Sequence, residues 1–304
     1  MKLHVVNETA RLREVVLGMP WANGPVPSLS DTFDSKSYES VLNGTYPAEQ
    51  DIVAEMGAFE AVLKKYGVKV YRPALVPDCN QVFARDVGFV IDDKIIVSNI
   101  IPDRQDEIDA YGDIYRQMHY KNIYNLPETV HVEGGDVVLY DNIIFLGQYD
   151  FLDYPSVKTA RTNRLALDYL NMIFPSKTII PLNLRKSDTN PYEGILHLDC
   201  TFMPVGRGKA IIYRDGFMNP RDADHLVELF GKENVFELTK EEMYWMNSNI
   251  FSISEEVVVI EENFVRLGEH LRNKWGMTVE TVPYREISKM GGLLRCSTLP
   301  LRRD

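Results

Sequence analysis

One arrangement of strands and helices recurs along this sequence, and the recurrence constrains the fold more than any other feature. A polar or acidic residue leads into two short β-branched runs joined by a tight polar turn, which is the pattern of a β-hairpin. A segment with helical spacing and one further strand follow each hairpin. The first hairpin comprises Val87–Ile91, an Asp92-Asp93 turn and Ile95–Ser98. The five leading residues are Asp86, Glu133, His197, Asn249 and Cys296.

These leading residues follow one another at roughly 50-residue intervals, a period typical of a stacked or closed array of one supersecondary unit. We therefore predict an α/β fold of five ββαβ units on a ring, with the leading residues directed at one axis. The N-terminal strand, Leu12–Gly18, then completes the unit that contains Cys296. No linker divides the chain, so residues 1–304 form one domain. Residues 19–48 are rich in Pro, Gly, Ser and Asn and are interpreted as a lid or substrate loop.

The composition excludes several classes of protein. The 33 Lys and Arg against 44 Asp and Glu give a net charge of −11, which argues against a nucleic-acid partner and mildly favours a small cationic ligand. Three cysteines are too few for a disulfide scaffold and fit a reducing compartment. The N-terminus has no signal-peptide pattern, and no apolar run approaches the ~18 residues of a membrane span. We expect a cytoplasmic protein without a membrane partner; a homodimer is left open.

A convergent centre would bring together one thiol, one imidazole and three carboxylates, from Cys296, His197, Asp86, Glu133 and Asp199. Crowded carboxylates repel one another unless a cation compensates them. A metal ion is disfavoured because the short Cys/His spacings of zinc sites are absent. A guanidinium is the better candidate, since its planar fork of donors pairs with carboxylates. We therefore predict an organic cation as ligand, with no metal and no cofactor.

A nucleophilic role for Cys296 requires activation, because free cysteine has a pKa of about 8.5 and neighbouring carboxylates raise it. A bound guanidinium supplies positive charge; at ~4 Å and an effective dielectric of about 20 its attraction for a thiolate is about 4 kcal/mol. This is enough for substrate-assisted activation of the thiol. His197 can then protonate a leaving amine and deprotonate the next nucleophile.

Four motifs carry a family resemblance that spans about Asp78 to Arg303. Phe-Ala-Arg-Asp86, Glu133-Gly-Gly-Asp, His197-Leu-Asp and Gly-Gly-Leu-Leu-Arg-Cys296 occur in this order. The chain resembles the guanidino-group-modifying enzymes of the pentein superfamily: arginine deiminases, dimethylarginine dimethylaminohydrolases and amidinotransferases. The resemblance implies a five-bladed α/β propeller.

The resemblance also implies roles for individual residues. Cys296 would be the nucleophile and His197 the general acid/base, and Glu133 would hold the guanidino group and support His197. Asp86 and Asp199 would clamp the guanidinium. Arg104 stands where the family places an arginine for the substrate carboxylate, and Arg161 lies in a segment similar to the Arg-Thr-Asn of dimethylargininases; these complete the predicted substrate-binding residues.

The implied chemistry is attack of Cys296 on the guanidino carbon, loss of an amine and formation of a covalent amidino-enzyme, from which water or an acceptor amine then releases the product. The Glu-Gly-Gly-Asp motif and the length favour an amidine hydrolase acting on arginine or a close, N-substituted relative. An amidinotransferase with an acceptor amine is the alternative. The second alternative is a non-catalytic pentein binder, in which Cys296 is an inert core residue. Cys79 and Cys200 are interpreted as inert, with Cys200 on a strand and facing away from the site, and Asn249 as a strand-end cap.

Overall fold

Fifteen strands form five separate three-stranded sheets in the computed structural model, which describes residues 1–304. The strands are β1 Leu12–Leu17, β2 Lys69–Tyr71, β3 Gly88–Ile91, β4 Lys94–Val97, β5 Ile123–Asn125, β6 Val137–Tyr140, β7 Ile143–Gln148, β8 Thr178–Asn183, β9 Phe202–Val205, β10 Lys209–Ile212, β11 Val235–Glu237, β12 Phe251–Ser252, β13 Val257–Glu261, β14 Thr278–Val282 and β15 Thr298–Arg303. The five sheets are the five blades of an α/β propeller, as the repeats predict.

Every blade has the same topology. The middle strand pairs antiparallel with the strand that precedes it around the ring and parallel with the strand that follows it, as β4 pairs with β3 and β5. The hairpin turns place Asp92 and Asp141 in the left-handed region, at φ 53° and 51°, which short polar side chains tolerate better than branched ones. The predicted hairpins are therefore confirmed.

The ring is closed by the two ends of the chain. In the fifth blade β1 is the middle strand; β15 pairs with it antiparallel, with Leu17 opposite Thr298, and β2 pairs with it parallel, with Val15 opposite Val70. The predicted pairing of the N-terminal strand with the Cys296 unit is confirmed. The hydrophobic C-terminal run is thus a buried strand.

Ten helices or helical turns connect the strands. They are α1 Ser35–Leu42, α2 Glu49–Lys65, α3 Ala84–Val87, α4 Asp106–Asp109, α5 Gly112–Tyr115, α6 Arg164–Ile173, α7 Pro220–Phe230, α8 Lys240–Tyr244, α9 Val265–Asn273 and α10 Arg285–Ser288. In α2 the buried side chains recur every three or four residues, at Ile52, Met56, Phe59 and Leu63, so one face packs on the core. No helix combines the length and the apolarity of a membrane span.

Two segments differ from their sequence predictions. The segment with helical spacing that follows the first hairpin is divided into α4 and α5, where Gly112 lowers helix propensity. The expected loop at 19–48 contains α1, whose N-cap Asp34 accepts hydrogen bonds from the backbone N–H groups of Lys36 and Ser37, both at 2.9 Å. The hydrophobic pattern did not indicate α1, because the side chains that this helix buries are Ser and Lys.

The leading residue of each blade lies in the turn that precedes the first strand. Asp86 lies in α3, and Glu133 and His197 each precede a 3₁₀ turn, Gly134–Asp136 and Leu198–Cys200. Asn249 and Cys296 come two residues before β12 and β15. Because the hydrophobic strands pack around the ring, these polar turns meet near its axis.

Candidate active site

A cleft opens where the five turns converge. Its empty volume is about 510 Å³ including the mouth. The ring contributes Asp86, Arg104, Arg161, His197 and Cys296 to its lining, and the predicted lid contributes Pro27, Asp31, Thr32, Phe33, Asp34, Ser37 and Tyr46. Five of the seven predicted site residues therefore line one cleft, together with the segment expected to cover it.

Glu133 and His197 form the central pair, fully buried just behind the cleft surface. His197 Nε2 lies 2.8 Å from Glu133 Oε2, and His197 Nδ1 lies 3.7 Å from Asp86 Oδ1. Burial lowers the pKa of His197, but Asp86, Asp136 and Glu133 outweigh it and raise the pKa to about 9. The imidazole is therefore protonated at neutral pH, as a general acid must be.

The paired glycines of Glu133-Gly-Gly-Asp136 permit this packing. A Cβ on Gly135 would lie 2.6 Å from the His197 ring, and a Cβ on Gly134 would lie 2.2 Å from the Arg85 carbonyl oxygen. No side chain fits at either position, so two turns of neighbouring blades can approach each other. The motif is thus a requirement of close packing around His197.

Arg161 neutralises Glu133. Its Nη1 donates to both carboxylate oxygens, at 3.1 and 2.9 Å, and its Nη2 donates to the carbonyl oxygen of Phe33 in the lid at 2.6 Å. Burial raises the pKa of Glu133, but Arg161 and His197 outweigh burial and hold it at about 2. Glu133 therefore remains ionised and keeps the imidazole charged.

Arg104 neutralises Asp86. Its Nη1 donates to Asp86 Oδ2 at 2.7 Å, while Nε and Nη2 donate to the Glu107 carboxylate at 2.7 and 2.9 Å. Asp86 Oδ1 has no hydrogen-bond partner and is the free carboxylate acceptor on the cleft floor. The two arginines predicted for the substrate thus lie in the cleft, but each is already paired with a carboxylate.

Cys296 is buried at the end of the cleft, with an unexpected neighbour. Asn249 Nδ2 lies 3.1 Å from Cys296 Sγ, and Asn249 Oδ1 accepts hydrogen bonds from the backbone N–H groups of Arg295 and Cys296. Asn249 is fully buried and contacts the sulfur, so its interpretation as a strand-end cap was incomplete. Its leading position in the fourth repeat was the signal that could have identified it.

Asp199 lies beneath Cys296 and outside the cleft lining. Its Oδ2 is 3.8 Å from Cys296 Sγ and accepts a hydrogen bond from Arg295 Nη1 at 2.8 Å. Arg295 also donates to Glu8 Oε1 at 2.8 Å. Burial lowers the pKa of Arg295, but Glu8 and Asp199 outweigh it and raise the pKa above its usual range. Glu8 and Arg295, which sequence reasoning missed, therefore anchor the floor of the site.

The expected orientation of Cys200 was wrong. Residues 198–200 form a 3₁₀ turn rather than a strand, so alternation does not apply, and Cys200 Sγ lies 3.6 Å from Asp199 Oδ1. A hydrogen bond to Cys296, together with burial, raises the pKa of Cys200 well above its usual range. His197 and Asp199 therefore do not lie on one strand face, although both reach the centre.

One group of residues has the spacing of a metal site. Ligand atoms of Asp86, Glu133 and His197 all lie within 4.8 Å of one another. Arg104 and Arg161 donate to the two carboxylates, so their charge is already compensated and little remains to offset the desolvation of a divalent cation. The donor set therefore fits a metal ion poorly, and the absence of a metal stays a prediction.

Comparisons with known proteins identify the family and several relatives. A family model described as N,N dimethylarginine dimethylhydrolase, eukaryotic, matches residues 32–303. The uncharacterized protein YkgA of Bacillus subtilis (strain 168) is 31% identical over 225 residues, which are 73% of this chain and 70% of YkgA.

Three solved structures share the propeller fold. The amidinotransferase SxtG of Microseira wollei has a TM-score of 0.76 at 19% identity, over 99% of this chain and 97% of that chain. The N-terminal domain of the cyanobacterial arginine dihydrolase ArgZ has a TM-score of 0.77 at 17% identity, over 95% and 97%. A dimethylarginine dimethylaminohydrolase variant has a TM-score of 0.71 at 17% identity, over 95% and 99%.

Proposed function

The chain belongs to the N,N-dimethylarginine dimethylhydrolase family of the pentein superfamily, and we propose that it hydrolyses arginine or a closely related guanidino compound through Cys296. The single observation that carries this proposal is the cleft lined by Cys296, His197 and Asp86, with Glu133 bonded behind His197 and no hydrogen bond made by Asp86 Oδ1. These are a nucleophile, an acid and a cation acceptor, which amidine cleavage requires.

Substrate binding begins at Asp86. Its free Oδ1 accepts a hydrogen bond from the guanidinium, while Arg104 holds the other oxygen and fixes the plane of the carboxylate. The bound cation lies close to Cys296 and favours its thiolate, which removes the need for a permanently charged sulfur. Asp199 lies beneath the sulfur, where Arg295 compensates its charge.

The first half-reaction forms a carbon–sulfur bond and breaks a carbon–nitrogen bond. The Cys296 sulfur attacks the guanidino carbon, and His197 donates its proton to the departing nitrogen. The product is a cationic amidino-thioether on Cys296 and a free amine. The raised pKa of His197, about 9, keeps the proton available for this step. Glu133 then stabilises and orients the imidazole, whether neutral or charged.

The second half-reaction transfers the amidino group to water. Neutral His197 takes a proton from water, the resulting oxygen nucleophile attacks the same carbon, and the carbon–sulfur bond breaks. The carbon keeps one new oxygen, so the product is a ureido compound and the thiolate is restored. The family motif at Glu133 and the compact chain support hydrolysis; an acceptor amine in place of water would give an amidinotransferase.

Mass spectrometry of products from a panel of guanidino compounds tests the proposal. We expect citrulline and ammonia from arginine, or citrulline and a methylamine from a methylated arginine, without any acceptor. Ornithine and a new guanidino compound that form only when glycine or another amine is added would show a transferase instead.

A parallel labelling experiment tests the role of Cys296. A haloacetamidine should form one covalent adduct at Cys296, and Cys296→Ser should lose both the adduct and the turnover. Cys79→Ser is the matched control, because Cys79 lies outside this cleft lining. If no guanidino compound is turned over and no adduct forms at Cys296, the protein is a non-catalytic binder.

A further inference from the structure

Asn249 is the side chain whose position the proposed reaction does not yet explain. It is fully buried, it leads the fourth blade in the position that Asp86, Glu133, His197 and Cys296 occupy in the others, and its Nδ2 lies 3.1 Å from Cys296 Sγ. A cap on a strand end would bind backbone groups only. The contact with sulfur indicates a second task.

The backbone fixes the orientation of the Asn249 amide. Oδ1 accepts from Arg295 N at 3.0 Å and from Cys296 N at 3.2 Å. A flipped amide would direct its N–H groups at those two backbone donors and lose both hydrogen bonds, so the network assigns the oxygen. The Nδ2 group is therefore a preorganised donor aimed at the sulfur.

The sulfur needs such a donor because a carboxylate lies beneath it. Asp199 Oδ2 is 3.8 Å from Sγ and accepts from the thiol, so a sulfur that attacks as a thiolate would lose this partner. Arg295 compensates Asp199 but hydrogen-bonds to the carboxylate rather than the sulfur, and His197 is engaged with Glu133. Asn249 adds a neutral donor that stabilises a thiolate without taking up the space of the substrate.

We propose that Asn249 is a further catalytic residue, whose amide holds the Cys296 sulfur in place and stabilises its thiolate. This inference rests on the proposed role of Cys296 as nucleophile. It does not depend on which guanidino compound is the substrate, or on whether water or an amine completes the reaction.

Other groups also interact with the sulfur and must stay constant in the test. Asp199 and Cys200 do so from the 198–200 turn, and Tyr284 from the residue before α10. Across the cleft the charged or titratable groups are Asp31, Asp34, Tyr46, Asp86, Arg104, Arg161 and His197. Substitutions at Asn249 leave all of them in place, so a change in thiol reactivity reports on the amide.

The experiment measures iodoacetamide alkylation of Cys296 against pH on the full chain, followed by peptide mass spectrometry. Asn249→Ala removes the donor. Asn249→Asp keeps an acceptor for the two backbone N–H groups and places negative charge at the sulfur. We expect Asn249→Ala to move the midpoint of the alkylation profile upward by about one pH unit and to slow alkylation at pH 7 about tenfold. Asn249→Asp should move it further.

Asn247→Ala, in the same turn but without a bond to Cys296, is the matched control and should keep the wild-type profile. Wild-type profiles for both Asn249 variants would overturn the inference. If Asn249→Ala does not fold, the near-isosteric Asn249→Asp still decides the question. Alkylation needs no guanidino substrate, so this test is independent of the proposed reaction. If the protein turns over no guanidino compound but the Asn249 variants shift the alkylation profile, the proposed reaction is refuted and the role of Asn249 at the thiolate is supported.

Discussion

Arg161 and Glu133 form a buried ion pair in which Nη1 of Arg161 lies 3.1 and 2.9 Å from the two carboxylate oxygens of Glu133. The same guanidinium donates through Nη2 to the carbonyl oxygen of Phe33. One side chain therefore joins the segment 19–48 to the carboxylate that holds His197. Through this link the position of that segment bears on the charge of the His197–Glu133 pair.

Removal of that guanidinium leaves a buried charge without its partner. We expect Arg161→Met to lower the free energy of unfolding by about 3–5 kcal/mol, as for other broken buried pairs, and to reduce kcat. Urea denaturation and steady-state kinetics measure the two effects. Arg164→Met, which alters an exposed arginine three residues away, is the control and should change both by little. A loss of less than 1 kcal/mol in Arg161→Met would show that the pair is not needed.

Stability should depend on pH through His197. Its folded pKa of about 9 lies above the ordinary value of 6.5, so its contribution is fully present below pH 6.5 and is lost as pH rises through 9. The difference in unfolding free energy between the wild type and His197→Asn should fall by on the order of 3 kcal/mol over this window. A difference that stays flat from pH 6 to pH 10 would contradict a raised pKa.

Gly291 connects the nucleophile segment to the lid helix. Its φ is +87°, and an added Cβ would lie 2.3 Å from the Asp34 carboxylate that caps α1. We expect Gly291→Ala to displace α1 and raise KM. It should also lower the free energy of unfolding by more than the ~1–2 kcal/mol that a left-handed alanine costs. Gly44→Ala isolates the conformational part, since Gly44 has φ +66° and nothing within 4 Å of its Cβ position. Equal effects of both variants would rule out the clash with Asp34.

Chelation should leave the protein unchanged. Because Arg104 and Arg161 compensate the carboxylates beside His197, we expect neither stability nor turnover to respond to EDTA. Elemental analysis of the purified protein should find metal well below one ion per chain. Loss of turnover with EDTA and its return with zinc would assign a metal to Asp86, Glu133 and His197.

The substrate carboxylate should contribute little to recognition. Arg104 is bound to Asp86 and Glu107, and Arg161 to Glu133, so the two arginines in the cleft have their charge compensated. We expect 4-aminobutylguanidine, which is arginine without the carboxylate, to have a kcat/KM within about tenfold of that of arginine. A site built for the carboxylate would reject this analogue by roughly 10⁴-fold, and such a loss would return Arg104 and Arg161 to the role that their family resemblance implies.

The sequence by itself determined the ring. Each hairpin is specified locally, by a tight polar turn between two β-branched runs. The recurrence of this pattern about every fifty residues specifies five such units. The apolar C-terminal run then predicted closure with the first strand, as the β1–β15 pairing confirms. The leading residues were also readable, because the turn before each first strand recurs in every unit.

Only the tertiary structure decided the partner of each charge. Arg161 pairs with Glu133 and Arg104 with Asp86 inside single repeat units, whereas Arg295 pairs with Asp199 from another blade. Each pair depends on how the loops fold back onto the leading turns, since burial makes an unpaired charge too costly to remain. The same packing replaced an expected strand by the 3₁₀ turn at 198–200 and brought Asn249 against Cys296. No local pattern encodes a contact between two blades.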